Sequence, residues 1–447
     1  MLIRFAVKNF LSIKEVLTLT MVAGNSFAHE SHVRRGDGLA LVKGAFLFGA
    51  NASGKSSIIK AIEFFRRCIA NGLGAVDFNR KWFRLARDRD DIGSFAIDIK
   101  SRGHIYHYAL DVSYSKVSVV EEKLVLMDDV RHAVELFHRR VDEQGRDRIS
   151  RDEIRGMQPN EARRFEIYRE DFRNGSFSQK TFLADVAGRC PQTGGYWHHY
   201  GTVFSWFRRM LVIFPETKFG DMSMYARDED ARMGLGGMLR NFDTGIESLD
   251  LKEVTEDTVL RQLNEEKRKS IRQEMKSDLS RALGKTRISL NVGSRGYLVK
   301  LEDGELKYLE VVANHGNSTD LFERRDESDG TQRLYDLLPL QECFKNNGVI
   351  FVDELDRSLH AKATREFIRL FFENSYGSEA QLIATSQEPS LMTLEMLRDD
   401  EMWIVERDKE HQTKIRSMSG YDLEYICDAA KDYLLGRFGG IPSIRHD

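Results

Sequence analysis

The chain has 447 residues, 41% of them hydrophobic, and its 67 basic and 70 acidic side chains leave a formal net charge of −3. This length exceeds one ordinary core and predicts two lobes, or one large α/β domain with an insertion. The balanced charge excludes a generally basic protein, so any nucleic-acid surface has to be local.

The sequence carries no membrane, disulfide or zinc pattern. No apolar run is long enough to span a bilayer and no signal-peptide pattern is visible, which indicates a cytoplasmic protein with no membrane partner. The histidines at 198–199 and 315 lack companion ligands at metal spacing, so metal binding through them is disfavoured. No CxxC pair occurs among the four cysteines, which favours reduced thiols at Cys68, Cys190, Cys343 and Cys427.

The first motif along the chain lies at residues 49–56, which read Gly-Ala-Asn-Ala-Ser-Gly-Lys-Ser between the apolar run 44–48 and a helical stretch. This is G-x-x-x-x-G-K-S in the strand, loop and helix context of a phosphate-binding loop. The glycines let backbone amides turn towards a phosphate, where the following helix adds its positive amino end. A glycine-rich turn without this function is the alternative. The pattern predicts nucleotide-binding residues at Gly49, Asn51, Ser53, Gly54, Lys55, Ser56 and Ser57.

The side chains of this loop also indicate which ligands it takes. Lys55 supplies a mobile charge for the β and γ phosphates, and the Ser56 hydroxyl is suited to a Mg²⁺ ligand. An Asn-Lys-x-Asp motif would read a guanine base, and none is present. The predicted cofactors are therefore ATP and Mg²⁺.

The middle of the chain changes pattern several times. Alternating residues over 94–127 predict an antiparallel sheet, whereas 131–173 is dense in both arginine and acidic residues and indicates a solvated helical surface. A DNA or RNA contact is the alternative for that second segment. Leucine, isoleucine and methionine recur every three or four residues over 256–283 and predict a helix, and 285–309 returns to strand-like alternation. The helical region reads as an insertion into a larger domain.

A buried strand further along the chain ends in two acidic residues. Val349 to Val352 is an uninterrupted apolar run, typical of a central parallel strand, and delivers Asp353 and Glu354 at its carboxyl end. Two carboxylates there would repel each other unless a cation lies between them and a triphosphate. We assign Asp353 to the metal and Glu354 to orienting or deprotonating the attacking water. A solvated acidic strand end is the alternative.

A second candidate anion site precedes that strand, at residues 327–338, which read ESDGTQRLYDLL. Ser328, Gly330 and Thr331 lie at a predicted helix start, where free backbone amides can bind an anion. One triphosphate does not need two such sites from one subunit, so this one is expected to close over the γ-phosphate bound by another copy. An ordinary helix cap is the alternative for Ser328.

The order of these motifs resembles the ABC class of ATPases, including RecF and SMC heads. It is more similar still to bacterial AAA-family ATPases of the RloA and AbiLi type, many of which occur in phage-defence operons. The resemblance rests on the motifs KNF at 8–10, GANASGKS at 49–56, ESDGTQRL at 327–334, VDELDRSLH at 352–360 and YLLGRFGGIP at 433–442.

This resemblance implies an α/β fold, with an ABC-type P-loop ATPase head built on a mixed sheet and a mainly α-helical insertion. The head would comprise residues 1–145 and 286–447, and the insertion residues 146–285. The resemblance places Asp356 in a loop that crosses the dimer, and Ser328 with Gly330 in a signature that acts in trans. The residues after Glu354 are expected to complete the head, which leaves no room for an appended Toprim nuclease.

Two departures from the family pattern concern hydrolysis. Relatives usually carry a histidine after the strand predicted at 381–385, and here Gln387 takes its place as a candidate catalytic residue. A glutamine can donate a hydrogen bond to a phosphate oxygen but cannot carry a proton charge, which predicts slow or partner-stimulated turnover. A surface glutamine without a role is the alternative. The usual Q-loop glutamine is also absent between Lys60 and Glu143.

The leading hypothesis is an ATPase whose heads close on two ATP molecules as a homodimer or a higher even-numbered oligomer. By resemblance it would control a separately encoded effector protein, a nuclease or a toxin, in bacterial defence against phage. A RecF-like DNA clamp and an ATP-assembled scaffold with little hydrolysis are the alternatives, and a nucleic-acid partner stays open.

Overall fold

The computed structural model describes the whole chain apart from residues 27, 88–89, 130–131, 143, 153–156, 175–178, 190–194, 218–228, 262, 282–286, 293–294, 422–428 and 442–447. Two compact units are present. The first comprises Met1–Pro215, Phe344–Asp356 and Ile368–Asp447, and the second Glu216–Cys343 and Arg357–Phe367. These units are divided at residues other than the predicted domain limits, which stay predictions.

The first unit contains an antiparallel sheet in which neighbouring strands follow the order β10-β9-β8-β7-β6-β1-β2. The alternation at 94–127 thus forms three consecutive strands, as predicted. The strands are β1 (Leu2–Lys8), β2 (Leu17–Thr20), β6 (Ile92–Ser101), β7 (His104–Ser113), β8 (Ser118–Asp129), β9 (His132–Val141) and β10 (Asp147–Ser150). A separate two-stranded ribbon is formed by β3 (Val33–Gly36) and β4 (Leu39–Val42).

A second sheet of this unit, in the order β11-β17-β18-β5-β19-β20, carries the predicted phosphate loop. Its strands are parallel from β11 to β19, and β20 is antiparallel, so the sheet is mixed as predicted. Apolar side chains on both faces explain the uninterrupted runs seen in the sequence. The strands are β5 (Gly44–Phe48), β11 (Leu211–Ile213), β17 (Val349–Val352), β18 (Gln381–Ser386), β19 (Met402–Arg407) and β20 (Thr413–Ser417).

This strand order determines where the motifs meet. Strands β5, β18 and β17 are neighbours and parallel, so the loops that follow them start from the same edge of the sheet. Those loops hold the motif at 49–56, the pair Asp353-Glu354, and Gln387. The fold is therefore α/β, with a mixed sheet that carries the predicted phosphate loop after a central parallel strand.

Helices of the first unit pack on these sheets. Helix α1 begins directly after the loop and turns a face of Ile58, Ile62, Phe65 and Ile69 into the core, at helical spacing. Phe65 stacks on rings of the antiparallel sheet, which joins both sheets through one apolar core. The helices are α1 (Lys55–Asn71), α2 (Pro159–Asn174), α3 (Phe182–Arg189) and α4 (His198–Arg209).

The second unit has its own sheet in the order β12-β15-β14-β13, with β16 paired to β15. The helix predicted over 256–283 is two helices, because Thr255 caps a first short helix that ends before the second begins; Leu283 lies outside the described residues. The strands are β12 (Ser248–Val254), β13 (Arg287–Val292), β14 (Arg295–Glu302), β15 (Glu305–Asn314) and β16 (Phe322–Glu323), and the helices α5 (Glu229–Asn241), α6 (Glu256–Leu260), α7 (Glu265–Arg281) and α8 (Asp329–Leu337).

Three further helices complete the described elements: α9 (Leu340–Lys345), α10 (Ala361–Asn374) and α11 (Ala429–Leu434). The ESDGTQRL motif therefore starts a helix, and a second short helix follows before β17. Of the helices formed by described residues, none combines the length and apolar character that crossing a bilayer requires.

Candidate nucleotide-binding site

The phosphate loop connects β5 to α1 and needs both of its predicted glycines. Gly54 caps α1 with a φ of 105°, a conformation that favours glycine, and a Cβ there would lie 1.8 Å from Thr413 Oγ1. A Cβ on Gly49 would lie 2.2 Å from the carbonyl oxygen of Val405. Only residues without a side chain let this backbone approach its neighbours so closely.

Ser53 provides a test of whether the loop fits a phosphate. Its Oγ is buried, and among the described residues it has no hydrogen-bond partner. A buried hydroxyl without a partner costs free energy, about 1–3 kcal/mol, unless a ligand or water satisfies it. A phosphate oxygen would accept this hydrogen bond, so the loop fits the predicted triphosphate.

Lys55 lies folded back over the loop. Its ammonium group donates to the carbonyl oxygens of Gly49, at 2.5 Å, and Ala50, at 3.0 Å, and only 6% of the residue is exposed. Burial lowers the pKa of Lys55, and the carboxylates of Asp356, Asp353 and Glu354 oppose that shift. The lysine is thus within reach of the phosphate position and surrounded by acidic groups.

The predicted metal ligands come together. Ser56 Oγ donates to Asp353 Oδ1 at 3.1 Å, although the two residues are far apart in the chain. Asp353 is 3% exposed, and the same oxygen accepts a 2.7 Å hydrogen bond from Thr385 Oγ1. A hydroxyl and a carboxylate oxygen are ligands that Mg²⁺ prefers, so this pair fits the ion.

Glu354 and Asp356 follow on the same loop. The Glu354 amide donates to Thr385 Oγ1 at 2.7 Å, and its φ of 49° is in the left-handed region, where a side chain other than glycine is strained. The Asp356 carboxylate accepts a hydrogen bond from the backbone amide of Gln387 at 3.2 Å, and Gln387 itself is exposed. The Glu354 backbone is therefore held by the Thr385 side chain, and the Asp356 carboxylate by the backbone of Gln387.

Three hydroxyl residues of this site were not predicted from the sequence. Thr385 bonds both Asp353 and the Glu354 amide, as described above. Ser12 Oγ donates to Ser57 Oγ at 2.8 Å and lies 2.7 Å from Thr413 Oγ1, which in turn donates to the Ser53 carbonyl oxygen at 3.1 Å. Only Ser12 had a sequence signal, because it closely follows the KNF motif at 8–10.

The motif near the end of the chain also contacts the phosphate loop. The Ala50 amide donates to the Gly440 carbonyl oxygen at 2.7 Å, and Asn51 beside it is exposed. The YLLGRFGGIP segment thus contacts the phosphate loop through Gly440. Its last residue, Pro442, lies outside the described residues.

In the second unit, the ESDGTQRL motif is a capped helix start. Ser328 Oγ accepts from the Thr331 amide at 3.2 Å and lies 2.9 Å from Thr331 Oγ1. A Cβ on Gly330 would lie 2.7 Å from the Ser358 carbonyl oxygen, which explains the glycine by close approach. The helix-cap alternative is therefore present in the structure, and the predicted role in another copy's site stays a prediction.

A comparison of the sequence with models of known protein families identifies the family of this chain. The family model described as "AAA domain, putative AbiEii toxin, Type IV TA system" matches residues 45–179 and 210–393, most of the chain. Comparison with curated proteins finds no match.

Two solved structures are similar. The first is a crystal structure of the SmcHead bound to the C-winged helix domain of ScpA, with a TM-score of 0.44 and 15% identity over 93% of this chain and 97% of that one. The second is an SMC head domain from Thermotoga maritima, with a TM-score of 0.37 and 12% identity over 93% of this chain and 98% of that one.

Proposed function

This chain belongs to the family described as AAA domain, putative AbiEii toxin, Type IV TA system, and from that membership we infer that it binds and hydrolyses ATP. The observation that carries the proposal is the approach of Ser56 Oγ to Asp353 Oδ1, 3.1 Å apart, together with the buried hydroxyl of Ser53, which has no hydrogen-bond partner in the described part of the chain. Together these groups provide a phosphate-binding loop and a pair of oxygen ligands for Mg²⁺ at one edge of the sheet. A glycine-rich turn without a nucleotide would not require the oxygen pair.

Each loop residue has a proposed role. The amides of Gly49 to Gly54 bind the phosphates, and Lys55 exchanges its two carbonyl partners for phosphate oxygens, which keeps its charge satisfied. Ser56 and Asp353 would hold Mg²⁺, which would neutralise charge on the phosphate oxygens. The Glu354 carboxylate orients the attacking water and accepts its proton.

Closure of a second copy is proposed to complete the site. Ser328, Gly330 and Thr331 of that copy would donate to the γ-phosphate, and its Asp356 would cross the interface. The exposed Gln387 would donate to a phosphate oxygen in place of a histidine, which supports slow or partner-stimulated turnover. ATP would then hold two heads together until it is hydrolysed.

We further propose that this cycle controls a separately encoded effector in bacterial defence against phage. The support is the description of the family model, which names a putative AbiEii toxin and a type IV toxin–antitoxin system. The effector would be a nuclease or a toxin.

Nucleotide binding is tested by comparing two lysines of helix α1. Lys55→Ala should abolish ATP binding measured by calorimetry, whereas Lys60→Ala, an exposed residue on the same helix, should leave it unchanged. Equal affinity of wild type and Lys55→Ala would contradict the proposal.

Hydrolysis is tested at Glu354. Glu354→Gln should retain ATP binding but lose phosphate release, and it should accumulate as an ATP-bound dimer in mass measurements. The exposed Glu395→Gln serves as the matched control and should turn over at the wild-type rate. Wild-type turnover in Glu354→Gln would show that another group activates the water.

A further inference from the structure

Three histidine side chains meet in the first unit, away from the phosphate loop. His104 begins β7, and His198 and His199 begin α4. One ligand atom from each lies within 4.8 Å of the others, and all three residues are partly buried. The sequence argued against a metal here because it showed two adjacent histidines without a companion. The fold supplies the companion from a hairpin strand more than ninety residues earlier.

Two of these rings are oriented by contacts that metal-binding histidines commonly make. His198 Nδ1 lies 2.5 Å from the Gly195 carbonyl oxygen, which can only accept, so this nitrogen carries the proton. His199 Nδ1 bonds the Tyr106 hydroxyl at 2.8 Å. Metal-ligating histidines usually bond a carbonyl or another polar group through one nitrogen and direct the second to the ion. The Nε2 of His198 therefore carries a lone pair.

We propose that His104, His198 and His199 bind one Zn²⁺ ion. Neutral imidazole is a preferred zinc ligand, with Zn–N distances near 2.0–2.1 Å, which place two ligand nitrogens about 3.3 Å apart in a tetrahedral site. The present separations are within 4.8 Å, so ring rotations that shorten each separation by at most about 1.5 Å bring the nitrogens to that distance. Three protein ligands leave a fourth position for water.

Ring packing alone is the competing explanation. The rings of His198 and His199 are 3.9 Å apart, and that of His104 lies 6.0 and 5.2 Å from them, so they contact one another without an ion. The positive end of α4 also opposes a cation, but such a dipole changes binding only about two- to five-fold. Packing does not explain why polar groups bond Nδ1 in both helix histidines.

The proposed ion would be separate from the ATPase site, and it would combine His104, which lies within the residues matched by the family model, with two histidines outside them. His198 and His199 lie between residues 179 and 210, the internal segment that the model leaves unmatched. Zinc would join the β6–β7 hairpin to the start of α4 and so stabilise the first unit, with no residue shared with the phosphate loop.

The test uses the full chain, stripped with a chelator and titrated with Zn²⁺ by calorimetry, and then with Co²⁺ by visible absorption. Wild type should bind one ion per chain, and its unfolding temperature should rise with zinc. A residue that only bonds a metal-ligating histidine contributes roughly 10- to 100-fold to metal affinity. Tyr106→Phe, which removes such a partner, should therefore weaken zinc binding about 10-fold, whereas His104→Ala and His198→Ala should each weaken it by more than about 100-fold. His411→Asn, at an exposed histidine with a φ of 61°, is the matched control and should bind as wild type.

Each variant is first checked for its far-ultraviolet spectrum and unfolding temperature without metal. His104→Gln replaces His104→Ala if the alanine variant is unfolded. Equal zinc affinity in wild type and in the folded His104 and His198 variants would overturn the proposal, as would a wild-type chain that takes up no zinc and shows no Co²⁺ absorption.

Discussion

Thr385 organises the two carboxylate residues of the ATPase site through one hydroxyl. It is fully buried, donates to Asp353 Oδ1 at 2.7 Å and accepts from the Glu354 amide at 2.7 Å. A hydrogen bond to a charged group contributes about 1.5–3 kcal/mol. The strained backbone at Glu354 is thus held in place by a residue that need not touch the nucleotide.

We predict that Thr385→Val lowers the ATPase rate about 10-fold or more, because losing about 1.4 kcal/mol of positioning costs a factor of ten. Valine has the same shape but lacks the hydroxyl. The KM for ATP should change less than kcat, since the phosphate loop is intact. Thr385→Ser restores the hydroxyl and should recover most of the rate; an unrecovered rate in the serine variant would point to packing instead.

A second residue-scale pair lies in the core of the first unit. His32 Nδ1 and Glu401 Oε2 are 3.0 Å apart, and the His32 ring stacks on Phe372 at 3.4 Å. Burial lowers the pKa of His32 to about 3, with Arg398 and Lys43 acting in the same direction. Burial also raises the pKa of Glu401 well above its usual 4.5. The folded pair therefore holds one proton, on the glutamate.

The sign of the pH dependence follows from counting protons on this pair. Between pH 4.5 and 6.5 the unfolded pair also holds one proton, on the histidine, so folding changes no proton count there. Above pH 6.5 the unfolded pair releases its proton while the folded pair keeps one. The stability that the pair contributes is therefore lost as the pH rises, by up to about 1.4 kcal/mol per pH unit.

Glu401→Gln removes the retained proton, so we predict that its stability difference from wild type shrinks as the pH rises from about 6.5 to 8.5. The difference is measured as the shift of the urea midpoint at each pH. The exposed Glu395→Gln should show a constant small difference. A Glu401→Gln difference that stays constant with pH would mean that Glu401 is ionised in the folded protein.

At the scale of elements, the start of helix α8 serves two candidate purposes. Ser328 caps the helix through the Thr331 amide, and the same residue is the first of the proposed signature. Removing a serine cap costs about 1 kcal/mol, whereas aspartate caps equally well. A substitution that keeps the cap and adds a negative charge separates the two roles.

We predict that Ser328→Asp keeps the unfolding midpoint of wild type but loses ATP hydrolysis, since a carboxylate repels the phosphate proposed to bind there. Ser328→Ala should lower the midpoint and weaken hydrolysis. Thr255→Asp changes another cap of the same unit, where Thr255 accepts from the Thr258 amide at 3.3 Å, and should leave hydrolysis unchanged. If Ser328→Asp hydrolysed ATP at the wild-type rate, Ser328 would act only as a helix cap.

The strands of the central sheet were predictable from the sequence because each is buried on both faces. The runs 44–48 and 349–352 are apolar, the run 381–385 has an apolar centre between Gln381 and Thr385, and each forms a parallel strand where predicted. Leu211–Ile213 was not predicted, since three residues carry too short a pattern. The end of one helix at Leu260 and the start of the next at Glu265 were also not predicted, because the apolar spacing continues from one helix to the other.

At the scale of the molecule, local patterns identified the phosphate loop but not its supports. The G-x-x-x-x-G-K-S sequence predicts the strand and the helix on either side of it, whereas Thr413 and Thr385 reach the site through the order of the strands, and Gly440 through a segment that follows the last helix. His104 meets His198 for the same reason. Contacts between residues far apart in the chain depend on the topology of the fold, and the spacing of apolar residues along the sequence does not encode that topology.

At the same scale, the proposed sharing of each ATPase site between two copies permits a complementation test. If each ATPase site combines the phosphate loop of one copy with Ser328 of another, Lys55→Ala and Ser328→Asp chains are inactive alone. In a mixed dimer both changes fall in one site, and the other site keeps an intact lysine and an intact serine. If one copy supplied both elements, every site in the mixture would be defective.

We therefore predict that mixing equal amounts of the two inactive variants restores roughly a quarter of the wild-type ATPase rate, because random exchange puts half of the chains in mixed dimers with one intact site of two. The rate is measured as phosphate release after incubation that allows subunit exchange. A mixture of Lys55→Ala with Glu354→Gln is the control. Both changes lie in the same first-unit site, and every site in that mixture keeps one defect. No restoration in the test mixture would mean that one copy supplies both the serine and the lysine of each site. Restoration in the control would mean that the recovered rate is not specific to the pairing of Lys55 with Ser328.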